Sequence, residues 1–510
     1  MKTDSSTTVS VWMATADMPR PPRLARDLQV DVCVVGAGIA GLTTAYLLRK
    51  EGKSVAVLED GPLAGGETSR TTAHLALPDE FFRELEHMHG AEGARLAVQS
   101  HLAAVDLIET IVRREEIACD FERLPGYLFA PEGEPPDELM KELEAARRLG
   151  YTNVQKVARA PMPGQDTGPA LRFPGMGQFH PLEYLRGLVR VLEREGGLVF
   201  ADTRAETFEG GANARVATTD GHTVRCQAIV VATNSPVNDR VVIHTKQHPY
   251  RTYVVGLRVP VGSVERALYW DYDDPYHYVR VQRPRGAAHE VVIVGGEDHH
   301  TGQKDDADLR WERLERWTRQ RWPMAGETEF HWSGQVMEPV DGLAYIGRNP
   351  MDADNVYVAT GDSGNGMTHG TIAGMLLTDL IHARVNPWAT VYDPARFSPR
   401  ATKEWVVEAT HSSAPYAQWL TPGEVSSADE IPPGQGAIVR RGLTKVAVYR
   451  DPSGALVERS AVCRHLGCFV EWNSGEKSWD CPCHGSRYTA EGRVVNGPAF
   501  TDLPPAESER

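Results

Sequence analysis

Gln29-Val-Asp-Val-Cys-Val-Val35, then Gly36-Ala-Gly38-Ile-Ala-Gly41, then Leu42 through Lys50, then Ser54-Val-Ala-Val-Leu-Glu59 decide the fold of the first part of this chain. The run to Val35 is short, apolar and unbroken, the pattern of a strand buried on both faces of a parallel sheet. Leu42 to Lys50 reads as a helix ended near Gly52, and Ser54–Glu59 as a second strand. In such a βαβ unit Gly36 makes the tight turn, Gly38 admits a pyrophosphate to the backbone, and Gly41 lets helix and strand pack. The helix N-terminus offers its amides to phosphate. Glu59, at the tip of the second strand, is placed to bond a ribose hydroxyl. A glycine triplet alone is weak evidence. With strand, helix, strand and terminal acid in order, dinucleotide binding is the reading.

The chain has 510 residues, too many for one core, so two or three domains are expected. A hydrophobic fraction of 41% and a charged fraction of 24% are those of a globular protein. The net charge of −15 argues against nucleic acid and anionic membranes as partners. No apolar run is long enough to span a bilayer. The N-terminus lacks a basic start followed by an apolar stretch, so a cytoplasmic location is expected.

Residues 1–28 are polar and read as an N-terminal extension. Residues 79–117 carry apolar side chains at helical spacing (Phe81, Phe82, Leu85, Met88; then Leu102, Val105, Ile108, Val112). His87 and His89 fall on opposite sides of that helix, poor geometry for a shared metal, and read as solvated or packing groups. A strand is expected over Cys119–Phe129, helices over Glu134–Gly150 and from Phe179 to about Glu195, and the returning strand of the nucleotide domain over Cys226–Asn234. Residues 245–335 alternate apolar and polar, as in Arg251–Val259, Tyr276–Val281 and Glu290–Gly295, and read as an antiparallel sheet. Glu297-Asp298-His299-His300 invites a metal, but adjacent histidines on an extended segment point opposite ways, so a turn with solvated charges is expected. Strand Asn355–Thr360, glycine turn Gly361-Asp-Ser-Gly364-Asn-Gly366 and a helix from Met367 form a second site for negative charge at a helix N-terminus.

Near the end stand Cys463-Arg-His465-Leu-Gly-Cys468 and Cys481-Pro-Cys483-His484-Gly-Ser486-Arg-Tyr488. Each segment offers one Cys and one His, Cys-x-His and Cys-x-x-His. Two thiolates on one iron and two imidazoles on the other make the ligand set of a Rieske [2Fe–2S] centre, with Cys463, His465, Cys481 and His484 as ligands. A structural zinc site would use the same donor types; the Cys-x-His spacing and the second Cys pair weigh against it. Cys33, Cys119 and Cys226 are scattered and read as buried small hydrophobes.

The segment from about 425 to 510 resembles the Rieske domain family. The resemblance implies a Cys468–Cys483 disulfide joining the two cluster loops, as in the Rieske proteins of cytochrome bc complexes. A structural disulfide would be unusual in the cytosol. It also implies that the hydroxyls of Ser486 and Tyr488 donate to cluster sulfur and raise its potential, and that Gly497-Pro498-Ala499 covers the cluster.

Residues 25–395 resemble the glycine oxidase/D-amino-acid oxidase family in three places. These are the βαβ unit, the small and hydroxyl-rich stretch Gly65 to His74, and the segment Gly361 to Thr368. The cofactor implied is FAD, its contacts falling on Gly36, Gly38, Gly41, Glu59, Ser69, Arg70, Thr71, Thr72, Thr233, Gly361, Gly364, Gly366, Met367 and Thr368. His74 is expected to be an ordinary hydrogen-bonding histidine rather than a covalent flavin link. The fold class implied is α/β plus all-β. A Rossmann-type FAD domain (29–78, 170–244 and 336–395) would carry an inserted antiparallel-sheet substrate domain (79–169 and 245–335). A linker (396–424) would lead to a small β Rieske domain (425–510). The function implied is an FAD-dependent oxidoreductase that takes hydride from a C–H next to nitrogen of an amine or amino acid. It would pass electrons singly to the cluster and on to an external acceptor. Two alternatives stay open: an NAD(P)H-dependent flavin reductase feeding the cluster and an oxygenase partner, and a flavoprotein whose cluster is structural or sensory. No catalytic base is assigned; Tyr253, Tyr276 and His277 are the candidates, and Arg251, Arg258 and Arg280 are candidate partners for a substrate carboxylate.

Overall fold

The structure, a computed structural model, describes residues 7–77, 82–238, 243–413, 419, 421–442 and 444–506. The expected boundary at 78–79 and the helical position Phe81 lie outside them.

A six-stranded sheet stands at the centre of the nucleotide domain. Its order is Tyr345–Arg348, Val356–Thr360, Ala228–Asn234, Val32–Val35, Val55–Leu58, Leu198–Phe200, parallel except at the first pair. Every residue of Val32–Val35 is buried, as an apolar run flanked on both sides requires. The helix Ile39–Lys50 begins three residues earlier than its apolar pattern, because Thr68 Oγ1 accepts from the Ile39 amide at 3.2 Å and completes the first turn. A Cβ on Gly41 would lie 1.9 Å from the Gly36 carbonyl oxygen, so helix and strand meet only with glycine there.

The second large sheet has nine strands. Its main path runs Thr328–Pro339, Gln247–Val259, Glu290–His300, His277–Gln282, Leu268–Asp271, Glu122–Phe129, Ala170–Gln178, His74–Leu75. All its pairings are antiparallel except Leu268–Asp271 with Glu122–Phe129. Ala170–Gln178 thus belongs to this sheet, although it falls inside the expected nucleotide-domain segment 170–244. No alternation announced it, because Pro174 and two glycines interrupt the pattern.

Glu297–His300 is not a turn. It is the end of strand Glu290–His300, where the pairing slips beside Arg251 and Glu297 takes a φ of 59°. Glu297 is buried and pairs with Arg313 at 3.0 Å. A bulge explains how charged residues stay in a strand here. His87 is exposed, and His89 packs with its Nε2 donating to the Asp341 carbonyl at 2.7 Å.

Residues 7–28 are not a loose extension. Ser10 caps a short helix, Val11–Thr15, whose Val11, Trp12 and Met13 are buried. Ser10 Oγ donates to Ser69 O and Trp12 Nε1 to Thr71 O, both at 2.6 Å, while Thr8 Oγ1 donates to Glu476 at 2.8 Å. Likewise the connector holds a helix, Thr402–Ser413, anchored where Trp405 Nε1 donates to Thr245 O at 2.9 Å. The C-terminal domain is two small antiparallel sheets. One contains Gln435–Arg441, Thr444–Arg450 and Leu456–Ser460; the other contains Glu471–Asn473, Ser478–Asp480, Arg487–Thr489 and Val494–Asn496. Among the described residues, no helix is long and apolar enough to cross a membrane.

Candidate active site and cluster site

Between the two large sheets lies a cavity of about 900 Å³. Of the residues expected to hold FAD, Gly36, Gly38, Glu59, Arg70, Thr71, Thr72, Thr233, Gly361, Gly364, Gly366 and Met367 line it. Gly41, Ser69 and Thr368 do not: Gly41 packs helix on strand, Ser69 Oγ donates to Gly66 O, and Thr368 Oγ1 donates to Asn365 O. Arg70 reaches the cavity only at its base. Its guanidinium turns away to Thr8 O at 3.1 Å and Ser333 O at 3.2 Å.

The cavity suits a dinucleotide on its own geometry. Gly36 sits at φ +103° with a hypothetical Cβ 2.3 Å from Ala232 O, so the turn at the mouth of the first helix requires glycine. Glu59 Oε2 accepts from the Ala37 amide at 2.6 Å, which places the carboxylate against the glycine turn. Burial, then Asp60, pushes its pKa well up. At the far end the helix Gly366–Ile381 points its N-terminus at the cavity beside Gly364, favouring negative charge there. His74 has both ring nitrogens engaged, Nδ1 with Thr72 Oγ1 at 2.9 Å and Nε2 with Val279 O at 3.1 Å.

Of Tyr253, Tyr276 and His277, Tyr276 alone lines the cavity; His277 is bonded to Asp271 at 3.1 Å and stacked on Trp317. The three arginines are committed elsewhere. Arg251 pairs with Asp480 at 3.0 Å, Arg258 with Glu329 at 2.9 Å, and Arg280 donates to the carbonyls of Thr72, Ala73 and Phe179.

In the C-terminal domain the four expected ligands converge from two loops. Cys463 and Cys481 are buried, unbridged and adjacent, and each perturbs the other: the hydrogen bond from Cys481 holds Cys463 down at about 6, while Cys481 is pushed up. The rings of His465 and His484 lie 4.8 Å apart. Cys468 and Cys483 form a disulfide. Their sulfurs come within 4.8 Å of the Cys481 sulfur, but bonded to each other they offer no thiolate. Tyr488 Oη lies 3.4 Å from Cys463 Sγ, and buried Ser486 accepts from the Ala499 amide at 3.0 Å. Two thiols and two imidazoles in separate loops suit a cluster with one iron on each pair.

The two sites share a wall. Asn496, Gly497, Ala499 and Phe500 of the C-terminal domain line the cavity. Asn496 Nδ2 donates to Glu67 Oε1 at 2.9 Å, and His244 packs its ring 4.9 Å from His465. Beneath this wall three arginines (Arg70, Arg251, Arg487) meet Glu67, Glu476 and Asp480; all but Glu67 have side chains at most 1% exposed. Arg487 pairs with Asp480 at 3.1 Å, Arg70 with Glu476 at 3.7 Å, and Ser333 bonds Glu476.

A family model described as FAD dependent oxidoreductase (DAO) matches residues 31–380, and one described as Rieske [2Fe-2S] domain matches residues 421–507. The chain belongs to the DAO family and carries a Rieske domain. This DAO protein is 31% identical over 502 residues to a Bacillus subtilis (strain 168) protein named as a Rieske 2Fe-2S iron-sulfur protein, YhfW, covering 96% of each chain. It is 25% identical over 393 residues to gamma-glutamylputrescine oxidoreductase of Escherichia coli (strain K12), covering 73% of this chain and 89% of that one. Its fold is similar to glycine oxidase from Geobacillus kaustophilus, with a TM-score of 0.60 at 21% identity over 72% of this chain and 99% of that one. The DAO domain binds FAD and the Rieske domain binds a [2Fe–2S] cluster; the protein is an FAD-dependent oxidoreductase.

Sequence reasoning missed Glu67, Gln335, Asn496 and His244 as site residues, and set Asp298 aside as a solvated charge in a turn. Glu67 lay inside the hydroxyl-rich stretch and could have been marked there. Gln335 and Asp298 follow only from how strands pair, which no local pattern encodes.

Proposed function

We propose that this DAO protein oxidises an amine or amino acid at the C–H next to nitrogen and delivers the electrons, one at a time, through its Rieske cluster to an external acceptor. When bound, FAD supplies two-electron hydride acceptance and the cluster one-electron transfer. The neutral amine would lose a hydride to give an iminium cation, which water hydrolyses to a carbonyl compound and the freed, protonated amine. The observation that carries the reading is the shared wall: Asn496 to Phe500 of the Rieske domain close the cavity of the flavin domain. The protein's part is to hold the two cofactor sites in fixed register through the buried arginines and carboxylates. A cluster placed for structure alone has no need to border the flavin cavity, and the fused cluster favours a dehydrogenase over a pure oxidase.

The test is anaerobic mixing of the holoprotein with amines and amino acids, following flavin absorbance and the EPR signal of the reduced cluster together. Bleaching accompanied by the cluster signal supports the relay. Bleaching with a silent cluster refutes it, and bleaching by NAD(P)H alone reverses the direction of flow.

A further inference from the structure

The nine-stranded sheet forms the cavity wall opposite the nucleotide domain, and its chemistry is aromatic and acidic. Tyr250, Thr252, Trp270, Tyr276, Tyr278 and Asp298 stand along it. Tyr278 lies across Gly295, where a Cβ would come within 2.3 Å of the ring, and its hydroxyl meets Thr252 Oγ1 at 2.7 Å. The rings of Tyr276 and Tyr278 are 5.7 Å apart. Tyr276 donates to Asp298 Oδ2 at 2.9 Å.

The other oxygen, Asp298 Oδ1, is buried with no hydrogen-bond partner among the described residues. Burial pushes the Asp298 carboxyl up to about 6, and the hydroxyls of Thr252 and Tyr276 act against that rise; Thr252 also shares a hydrogen bond with Tyr278. Arg310, whose charge acts on Asp298 through space, is bound to Asp306 at 2.6 Å and to the Glu297 carbonyl. Tyr250 is held as a neutral phenol, by burial first and then by Glu408, Glu338 and Asp298, and its hydroxyl donates to Glu408 at 3.0 Å. The sheet arginines expected to receive a substrate carboxylate are taken up elsewhere, Arg251 by Asp480 and Arg280 by three backbone carbonyls; the cavity arginines Arg204 and Arg493 belong to the nucleotide and Rieske domains rather than to this sheet.

A half-buried carboxylate with one buried oxygen that accepts no hydrogen bond among the described residues calls for a donor, and the best donor is a cation. Aromatic rings beside it attract the same charge. A substrate carboxylate would meet like charge here instead. Resting on the amine-oxidoreductase reading, we propose that the substrate carries a second positive charge and no carboxylate beside the reacting carbon. Asp298, bonded by Tyr276 on the wall that also carries Tyr278 and Trp270, receives that second charge.

The test compares diaminobutane, butylamine and norvaline as reductants of the holoprotein, with Asp298→Asn and Tyr276→Phe as variants. Diaminobutane is expected to exceed both others by about tenfold in kcat/KM, the worth of one charge-assisted hydrogen bond. Asp298→Asn is expected to erase that advantage through KM, and Tyr276→Phe to reduce it in the same direction. Binding gives a readout independent of turnover. 2,5-Dimethylhexane-2,5-diamine, a diamine with N–H donors but no hydrogen on either carbon next to nitrogen, cannot be oxidised; it should bind the wild type by calorimetry and lose roughly tenfold in affinity in Asp298→Asn. Preference for norvaline would overturn the inference and leave the amine-oxidoreductase reading intact. An equal fall in kcat for all three compounds in Asp298→Asn would also overturn it, since the carboxylate would then serve the chemistry rather than recognition. If none of the compounds bleaches the flavin, the inference falls together with the reading beneath it.

Discussion

Gln335 donates its side-chain Nε2 to the carbonyl oxygen of Gly485 at 2.9 Å. Gly485 follows His484 directly, and Gln335 is itself a wall residue of the flavin cavity whose backbone amide donates to Glu67 Oε2 at 2.7 Å. One side chain thus ties the cavity to the loop that carries His484. Gln335→Ala removes that tie and also alters one wall residue of the flavin cavity, so the two steps are compared with each other. The expected result in stopped-flow mixing is cluster reduction slowed on the order of tenfold more than flavin bleaching, the kinetic equivalent of one lost hydrogen bond. Equal slowing of both steps would show that the tie does not set the electron path.

Arg251 and Asp480 form a buried pair across the two domains. Removing one partner of a buried pair usually costs about 3–5 kcal/mol. Arg487 still faces Asp480 at 3.1 Å, so Arg251→Ala should fall near the lower end, about 3 kcal/mol. Denaturant unfolding should show it, together with a separate early transition as the Rieske domain comes away.

Acid should act at the same place. Burial opposes ionisation of Asp480, but Arg487 and Arg251 outweigh it and hold the carboxyl at about 2, below its usual 3.8. A depressed carboxyl contributes stability that is complete above its unfolded pKa and is lost as pH falls through the folded one. The docking contribution should therefore be constant above about pH 5 and vanish between about pH 4 and 2, amounting to roughly 2 kcal/mol. Stability of the wild type against Asp480→Asn over that range checks it: the two curves should converge in acid.

Tyr488 Oη stands 3.4 Å from Cys463 Sγ, and its pKa is pushed far up, first by burial and then by the Cys463 sulfur beside it. A hydroxyl held so is a donor. Tyr488→Phe takes away a hydrogen bond that stabilises the reduced cluster more than the oxidised one, so the midpoint potential should drop. A bond worth about 1.4 kcal/mol corresponds to about 59 mV for one electron. Redox titration of the EPR signal measures it, and an unchanged potential would remove Tyr488 from the tuning groups.

The parts of this molecule that were legible in sequence share one property: their chemistry is local. The turn Gly36–Gly41, the glycine turn before Met367 and the loops carrying Cys463, His465, Cys481 and His484 each need particular residues a few positions apart, so spacing alone announces them. Asp298 and Gln335 failed that condition. Asp298 sits on a strand whose register slips beside Arg251, and Gln335 is paired directly across from Arg251 on another strand; what they face is settled by partners dozens of residues away. The polar N-terminal stretch misled for a related reason. Val11, Trp12 and Met13 make a buried turn too short to show a period, and only the surface they cover explains them.

Those same residues constrain how the molecule is built. Thr8 bonds Glu476, 468 positions away, while Ser10 and Trp12 clasp the backbone of Ser69 and Thr71. Domains generally fold in the order in which they leave the ribosome, so the bonds of Ser10 and Trp12 can form early, whereas Thr8 waits for Glu476 until the Rieske domain has been made. A segment translated near the beginning is thus secured at its outer end only after the last domain has emerged.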